Sequence, residues 1–182
     1  GRTVISSSIG QGEVNLTPLQ IANLGATIAN RGFFYTPHVV KKVKGEYLKP
    51  EFRERHYTKA SHRSYEYIVA GMRKSAMDGT CKMLSRLPIE ACGKTGTAQN
   101  PHGQDHSAFM GFAPMDDPKI AICVYVENGR WGADYGVTRG ALLIEQYING
   151  TLTGASQAKA EAFEQRHLIT PTEYVVSSSQ KQ

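Results

Sequence analysis

The sequence contains few cysteines and no long uninterrupted apolar stretch. Its three cysteines, Cys81, Cys92 and Cys123, form no Cys-x-x-Cys pair, so neither a disulfide framework nor a zinc site is expected. The longest purely apolar run, Ile120–Val126, has seven residues, far short of the roughly 20 that a membrane-spanning helix needs. The chain also begins without the basic-then-apolar pattern of an export signal. We therefore expect neither a membrane anchor nor an export signal within these residues.

The chain also lacks a strong charge imbalance. Its 182 residues carry a formal net charge of +5, with 20% charged and 40% hydrophobic residues. This composition is typical of one globular domain and excludes a chain that is disordered throughout. The densest basic cluster, Lys41, Lys42 and Lys44, is followed closely by Glu46 and Glu51, so we interpret it as a solvated surface. A nucleic-acid site would need a longer basic stripe with interleaved aromatic residues, and nucleic acid is not an expected partner.

The first helix has a complete start signal. Thr17 is an N-cap hydroxyl, Pro18 fits the first helical position, and Gln20 can close a capping box. Apolar residues follow at helical spacing, and Gly32 is predicted to end the helix.

Two further helices are predicted from the same periodicity. One covers about residues 61–78, with Gly79 as a left-handed cap, and the other covers about residues 134–149 and is closed by Gly150. The composition of residues 155–165 allows a short additional helix. The polar residues that follow, ending in 177–182, are expected to be loose.

Between the second and third helices the apolar pattern predicts strands. They cover residues 89–97, 107–114 and 119–127, and turn-rich segments at 100–105 and 115–118 separate them. The order of two helices, three strands and a further helix favours an antiparallel meander. We therefore expect an α+β fold in which an antiparallel sheet is covered by helices.

The most informative peptide lies in the first of these strands, Ala91-Cys-Gly-Lys-Thr-Gly-Thr-Ala-Gln99. Glycine within a strand often marks the close approach of a ligand or another backbone, which is expected at Gly93 and Gly96. Lys94 supplies a cation, and Thr95 and Thr97 supply hydroxyls and backbone donors. This set suits an extended, carboxylate-bearing substrate laid along the strand.

A phosphate-binding loop is the alternative for Gly-Lys-Thr. That loop requires another glycine five positions before Gly93, where this chain has Pro88. It must also open a helix, whereas the peptide here enters a strand. A nucleotide-binding loop is therefore not expected.

Lys94-Thr95-Gly96 also matches one of the three motifs of penicillin-recognising serine enzymes. It is followed by His106-Ser-Ala-Phe-Met-Gly-Phe-Ala-Pro114 and by Val126-Glu-Asn-Gly129, and it is preceded by Ser8-Ile-Gly-Gln-Gly12 and Leu16-Thr-Pro-Leu-Gln-Ile-Ala22. With these motifs, residues 3–150 resemble the C-terminal part of the transpeptidase domain of a class B penicillin-binding protein. Within that family they are most similar to the elongation-type penicillin-binding protein 2.

The resemblance implies a serine-type D,D-transpeptidase that cross-links D-Ala-D-Ala stem peptides of peptidoglycan through an acyl-enzyme and is acylated by penicillins. It implies Lys94, Thr95 and Thr97 as catalytic residues, with the Thr97 amide as an oxyanion donor. The same residues, together with Gly96, are implied to bind the substrate carboxylate and backbone.

Further expectations follow from the resemblance. It implies peptidoglycan stem peptides and β-lactam antibiotics as ligands, no metal or organic cofactor, and a glycan-polymerising membrane partner. The location would be the bacterial inner membrane, with the catalytic domain in the periplasm and the anchor outside this chain. Residues 1–150 would be the C-terminal part of the transpeptidase domain, and residues 151–182 a polar C-terminal extension. The unpaired edge of a partial sheet would also allow self-association.

The family's other two motifs are absent from the expected place. Ser-x-Asn does not occur in the chain. Ser-x-x-Lys occurs at Ser156–Lys159 and Ser178–Lys181, but both follow Lys94 in the polar tail, and we interpret them as coincidental. Tyr147-Ile-Asn149 resembles a variant second motif but lies at a helix end, again out of order. The nucleophilic serine is therefore expected outside this chain, and the chain alone is expected to be inactive.

Two other functions remain open. A β-lactamase or D,D-carboxypeptidase would use the same fold and the same Lys-Thr-Gly strand. A non-catalytic half-domain that binds cell-wall peptide would be consistent with the absent serine.

Three other residues near the motif require an interpretation. His102 and His106 are four residues apart, but Gly103 argues against a helix that would align them as metal ligands, so we expect them at the rim of the cleft. Trp131, the only tryptophan, is expected to be half-buried by packing.

Overall fold

The computed structural model describes residues 4–5, 10, 14–47 and 49–166. The α-helices are α1 (Pro18–Ala29), α2 (His62–Met77), α3 (Thr138–Asn149) and α4 (Gly154–Glu164). The strands are β1 (Phe33–Phe34), β2 (Lys42–Val43), β3 (Glu46–Tyr47), β4 (His56–Tyr57), β5 (Cys92–Ala98), β6 (His106–Ala113) and β7 (Ile120–Val126). Short 3₁₀ turns at Pro50–Phe52 and Lys82–Arg86 and a π-helical turn at Ala133–Val137 lie between them.

Helix α1 begins as its sequence predicts. The Thr17 hydroxyl accepts the amide N–H of Gln20 at 3.3 Å, and the Gln20 side chain accepts the amide N–H of Thr17 at 2.8 Å. Pro18 occupies the first turn, where a helix needs no amide donor. The helix ends shortly before the predicted Gly32, because Arg31 and Gly32 both have left-handed backbone angles, with φ of 57° and 118°.

The three longer strands form an antiparallel sheet in the order β5-β6-β7, which confirms the predicted meander. Lys94 pairs with Met110 in the neighbouring strand, and Thr95 pairs with Phe109. Successive side chains of a strand point to opposite faces of the sheet. Lys94 and Thr95 therefore lie on opposite faces of β5.

Helices cover both faces of this sheet. The face of Lys94 packs against α1 and α2 through a buried cluster that consists of Ile28, Ala29, Tyr65, Val69, Met72, Cys92 and Phe112. The face of Thr95 packs against α3 and the end of α2 through a second cluster, which consists of Ala76, Cys81, Leu84, Ala91, Phe109, Ala113, Val124, Val137, Ala141 and Ile144. Burial of these apolar side chains on both faces stabilises the layered arrangement and confirms the α+β prediction.

Phe109 belongs to the second cluster and is only 1% exposed. Its ring explains why several neighbouring positions are glycine. A Cβ on Gly93 would lie 2.6 Å from the phenyl ring, and a Cβ on Gly111 or Gly140 would overlap it. The expectation that a ligand or another backbone approaches Gly93 is therefore wrong, since a buried aromatic ring fills that space.

Two small antiparallel sheets lie between α1 and α2, where the sequence pattern predicts no strand. β1 pairs with β4, and β2 pairs with β3. The turn of the β2–β3 hairpin consists of Lys44 and Gly45, with φ of 51° and 85°, as a type I′ turn requires. Lys41, Lys42 and Lys44 are all exposed, in agreement with a solvated basic surface.

The two predicted glycine caps have different outcomes. Gly150 has a φ of 75° and ends α3 in the left-handed conformation, as expected. Gly79 does not have a positive φ, so its prediction as a left-handed cap is wrong. A Cβ on Gly79 would lie 2.9 Å from the Cα atom of Ser75. Close packing on the last turn of α2, rather than backbone handedness, therefore favours glycine there.

Helix α4 confirms the short helix that the composition allows, and it is attached to α3 through Glu145. The carboxylate accepts the amide N–H of Thr153 at 2.8 Å and the hydroxyl of Ser156 at 2.6 Å. The predicted loose end at residues 177–182 lies outside the described residues.

Candidate active site

Strand β5 presents Lys94, Thr95, Gly96 and Thr97 at an edge of the sheet. It pairs with β6 on one side, and no other described strand pairs with its outer edge. An edge strand offers backbone donors and acceptors to an extended peptide that adds alongside it. The position of the motif in the fold is therefore compatible with the extended substrate that the sequence suggests.

A cavity of about 540 Å³ adjoins this strand. Its volume lies in the range of roughly 300–1,000 Å³ that is typical of small-molecule sites. The residues that line it come from the start of α1, from the segment before it and from all three long strands: Gly10, Val14, Asn15, Leu16, Pro18, Ile21, Lys94, Thr95, Gly96, Thr97, Ala98, Ala108, Phe109, Met110 and Tyr125. The structure thus brings all four predicted site residues to one cavity.

The ammonium group of Lys94 is exposed and lies beside its own strand. Its Nζ donates to the carbonyl oxygen of Thr95 at 2.7 Å. No ion pair joins Lys94 to a carboxylate within the described ranges. The positive charge is therefore not neutralised by a described side chain, and it can attract an anionic group in the cavity.

The hydroxyl of Thr95 has a partner that the sequence does not reveal. Thr80, in the loop after α2, places its hydroxyl oxygen 2.8 Å from that of Thr95. The two residues are distant along the chain and belong to different elements, so no local spacing rule connects them. The only sequence signal is that Thr80 follows a predicted helix end.

Gly96 differs from Gly93 in its surroundings. A Cβ on Gly96 would meet only the Cβ of Ala108, at 3.4 Å, which is ordinary contact. On the far side of the strand, a Cβ on Gly132 would lie 2.5 Å from the carbonyl oxygen of Gly96. The chain segment that follows β7 therefore packs directly against the motif. Glycine is required at position 132, where the backbone of this segment approaches β5, and not at position 96.

The two histidines have different environments. His102 is exposed in the loop between β5 and β6. The Nδ1 atom of His106 accepts the amide N–H of Asn128 at 3.1 Å. This hydrogen bond attaches the loop after β7 to the start of β6. No group of three or more His, Cys, Asp or Glu residues with metal-binding geometry occurs in the part of the chain that the structure describes.

The prediction for Trp131 is wrong. The residue is 68% exposed and does not pack as a half-buried side chain. It follows Arg130, whose backbone is left-handed with a φ of 58°.

The serines that match Ser-x-x-Lys do not reach the cavity where the structure describes them. Ser156 belongs to α4 and donates its hydroxyl to Glu145 at 2.6 Å, which gives it a structural role. Asn149, from the segment that resembles a variant second motif, is the last residue of α3, as the sequence predicts. Ser178 lies outside the described residues.

In the described ranges, no helix combines the length and apolar character that crossing a bilayer requires.

Comparison with known proteins agrees with the fold. Residues 2–145 match the penicillin binding protein transpeptidase domain. The chain therefore belongs to the penicillin-binding protein transpeptidase family. Within that family it is of the penicillin-binding protein 2 type, as the following similarities show.

The peptidoglycan D,D-transpeptidase PbpA of Mycolicibacterium smegmatis is 36% identical over 149 residues, which cover 75% of this chain and 28% of that protein. The structure of Pseudomonas aeruginosa PBP2 in complex with WCK 5153 matches with a TM-score of 0.69 and 30% identity, over 85% of this chain and 33% of that one. The imipenem acyl-enzyme complex of penicillin-binding protein A from M. tuberculosis matches with a TM-score of 0.66 and 31% identity, over 79% of this chain and 33% of that one. The chain thus spans about a third or less of the length of these relatives.

Proposed function

We propose that the chain forms the Lys-Thr-Gly wall of the active site of a peptidoglycan D,D-transpeptidase. The observation that carries this proposal is the exposed, unneutralised Lys94 on an edge strand beside a cavity of about 540 Å³. The match to PbpA and to a β-lactam acyl-enzyme structure supports the reaction class.

The proposed chemistry uses four consecutive residues. Lys94 attracts the terminal carboxylate of a D-Ala-D-Ala stem peptide or of a β-lactam, and the hydroxyls of Thr95 and Thr97 donate hydrogen bonds to it. Gly96 leaves room for the substrate backbone at the strand edge. The Thr97 amide is one of the donors aimed at the oxyanion that forms when a serine attacks the carbonyl.

The attacking serine is proposed to come from a Ser-x-x-Lys segment that precedes these residues in the full-length protein. Residues 1–150 then form the C-terminal part of the transpeptidase domain, and residues 151–182 are a C-terminal extension. We further propose that the full-length enzyme is anchored in the inner membrane, acts in the periplasm and works with a glycan-polymerising membrane partner. These assignments rest on the family resemblance.

Intact-mass spectrometry after incubation with excess penicillin tests the proposal. The full-length protein should gain one penicillin mass, and the 182-residue chain should gain none. A persistent adduct favours a transpeptidase, whereas rapid turnover of a chromogenic β-lactam would favour a β-lactamase. A stoichiometric adduct on the chain itself would contradict the proposal and direct attention to Ser156 and Ser178.

The role of Lys94 requires a separate variant. Lys94→Ala in the full-length protein should slow acylation by penicillin strongly, by roughly 100-fold or more, as expected for loss of a charged group that acts on the reacting ligand. Lys74→Ala is the matched control, because Lys74 is an exposed lysine on α2 that pairs with Asp78, away from the cavity. Unchanged acylation in Lys94→Ala would exclude the assigned role.

A further inference from the structure

The only tryptophan of the chain is exposed beside the motif strand. Trp131 is 68% exposed, and Gly132, the next residue, packs against the carbonyl oxygen of Gly96. Exposing an indole to water is unfavourable, since its large apolar surface remains hydrated. The exposed indole therefore presents an apolar face that a ligand can cover.

The loop that carries Trp131 is fixed in its conformation. The amide N–H of Arg130 donates to the carbonyl oxygen of Asp105 at 2.7 Å, and the carboxamide of Asn128 accepts a hydrogen bond from Asn100 at 3.1 Å. Asn128 and Arg130 both have left-handed backbones, with φ of 55° and 58°, which non-glycine residues rarely adopt. Such strain persists where the surrounding structure enforces it, and it often accompanies a functional site.

Trp131 borders a polar groove of about 500 Å³ whose other lining residues are Gly103, Gln104, Asp105 and Arg130. The groove offers an aromatic face, an amide, a guanidinium and a carboxylate. The charges of Arg130 and Asp105 cancel formally, so the lining does not select for a strong anion. It suits a neutral ligand with one apolar face and a rim of hydrogen-bonding groups.

A pyranose ring has this character, because its C–H face packs on an aromatic ring while its hydroxyl and acetamido groups bond to polar side chains. We propose that the groove between Trp131 and Gln104 binds an amino-sugar unit of a glycan strand. The biological role of this site rests on the proposed function, because the sugar would belong to the same polymer as the peptide held at β5. The contact of Gly132 with Gly96 connects the two sites.

The intrinsic fluorescence of the 182-residue chain tests the proposal directly, since Trp131 is the only tryptophan. Titration with the peptide-free tetramer of N-acetylglucosamine should give a saturable change in emission. A sugar-free D-Ala-D-Ala stem peptide should not. No saturable change with the tetramer, or a change with the peptide alone, would overturn the proposal.

Variants separate the groove from the rest of the surface. Gln104→Ala should weaken the fluorescence response, and Trp131→Ala, followed by calorimetry, should weaken binding by roughly tenfold, as expected for loss of one aromatic contact. Tyr147→Ala is the control, because Tyr147 is an aromatic residue on α3 that is 60% exposed. Equal binding by Trp131→Ala and Tyr147→Ala would contradict the proposal.

Penicillin acylation of the full-length protein is measured in parallel. Absent sugar binding with intact acylation would overturn this inference alone. Absent acylation would overturn the proposed function, whether or not the groove binds sugar.

Discussion

The hydroxyl oxygens of Thr80 and Thr95 lie 2.8 Å apart and join the loop after α2 to the motif strand. Thr95 is one of the residues proposed to bind the substrate carboxylate. A hydroxyl that is already hydrogen-bonded has a preferred orientation, and orienting a binding group in advance reduces the entropy lost on ligand binding. We therefore expect Thr80 to be a positioning residue for Thr95, because it contacts Thr95 without needing to touch the ligand.

Thr80→Val in the full-length protein is expected to slow penicillin acylation by roughly two- to tenfold, the range that corresponds to loss of one net hydrogen bond. Thr80→Ser keeps the hydroxyl and should restore most of the rate. The rate of labelling by a fluorescent penicillin measures both. A merely structural role would predict lower thermal stability in both variants without rescue of the rate by serine, and equal rates in all three proteins would exclude positioning.

The attachment of α4 is expected to depend on the ionisation of Glu145, whose carboxylate accepts hydrogen bonds from Thr153 and Ser156. Burial raises the pKa of this carboxyl, but hydrogen bonds from Ser156 and Thr153 and the charge of Lys159 outweigh burial, so the pKa is lowered from its ordinary value. An acid whose pKa is lower in the folded than in the unfolded state contributes stability above its unfolded pKa. That contribution is lost as the pH falls through the folded pKa.

Glu145→Gln should therefore lower the free energy of unfolding by about 1–2 kcal/mol at neutral pH, because one amide oxygen replaces a carboxylate that accepts two hydrogen bonds. The loss should shrink in acid, where the native carboxyl is protonated. Thermal unfolding from pH 7 to pH 3 measures the difference between the two proteins. A difference that stays constant over this range would show that ionisation of Glu145 does not stabilise the fold.

The sequence predicted those elements whose signals are local. The capping box of Thr17 and Gln20, the left-handed Gly150 and the three long strands all depend on residues close in the chain, and the structure contains each of them. The strand that carries the Lys94 motif is predictable for the same reason. The position of the motif on an edge strand follows from the order of the strands, which a meander largely determines.

Features that depend on distant residues were not predicted. Thr80 reaches Thr95 only because the loop after α2 lies next to β5. Gly93 requires glycine because of Phe109 on the neighbouring strand, which a strand pattern alone cannot reveal. The exposure of Trp131 was also missed, because composition favours burial for an aromatic residue. Strands of two residues, such as β1 and β4, are too short to show a period.

The thiol of Cys92 is expected to be unreactive in the folded chain. Burial raises its pKa to about 12, and only the thiolate reacts with alkylating agents. At pH 8, iodoacetamide should modify Cys92 at least roughly 100-fold more slowly than in the unfolded chain, given an ordinary thiol pKa of about 8.5. Mass mapping of alkylated peptides measures the rates, with the partly exposed Cys123 as the comparison within the same sample. Equal rates at Cys92 and Cys123 would contradict the burial of Cys92.

Two helical glycines should respond to alanine in opposite directions. Gly140, in α3, faces the ring of Phe109, and a Cβ there would overlap that ring. The ring cannot move aside, because it is also enclosed by Gly93 and Gly111 and is 1% exposed. Gly71, in α2, is different, because a Cβ added there would meet no neighbouring atom within 4 Å.

Gly140→Ala should therefore lower the free energy of unfolding by about 1–3 kcal/mol, the usual cost of overpacking a core. Gly71→Ala should raise it by about 0.5–1 kcal/mol, because alanine has less backbone freedom to lose in a helix. Urea denaturation of the two variants and the parent chain measures both changes. If both substitutions stabilised the protein, helix propensity alone would govern these positions. That result would contradict the close packing of Phe109 against α3.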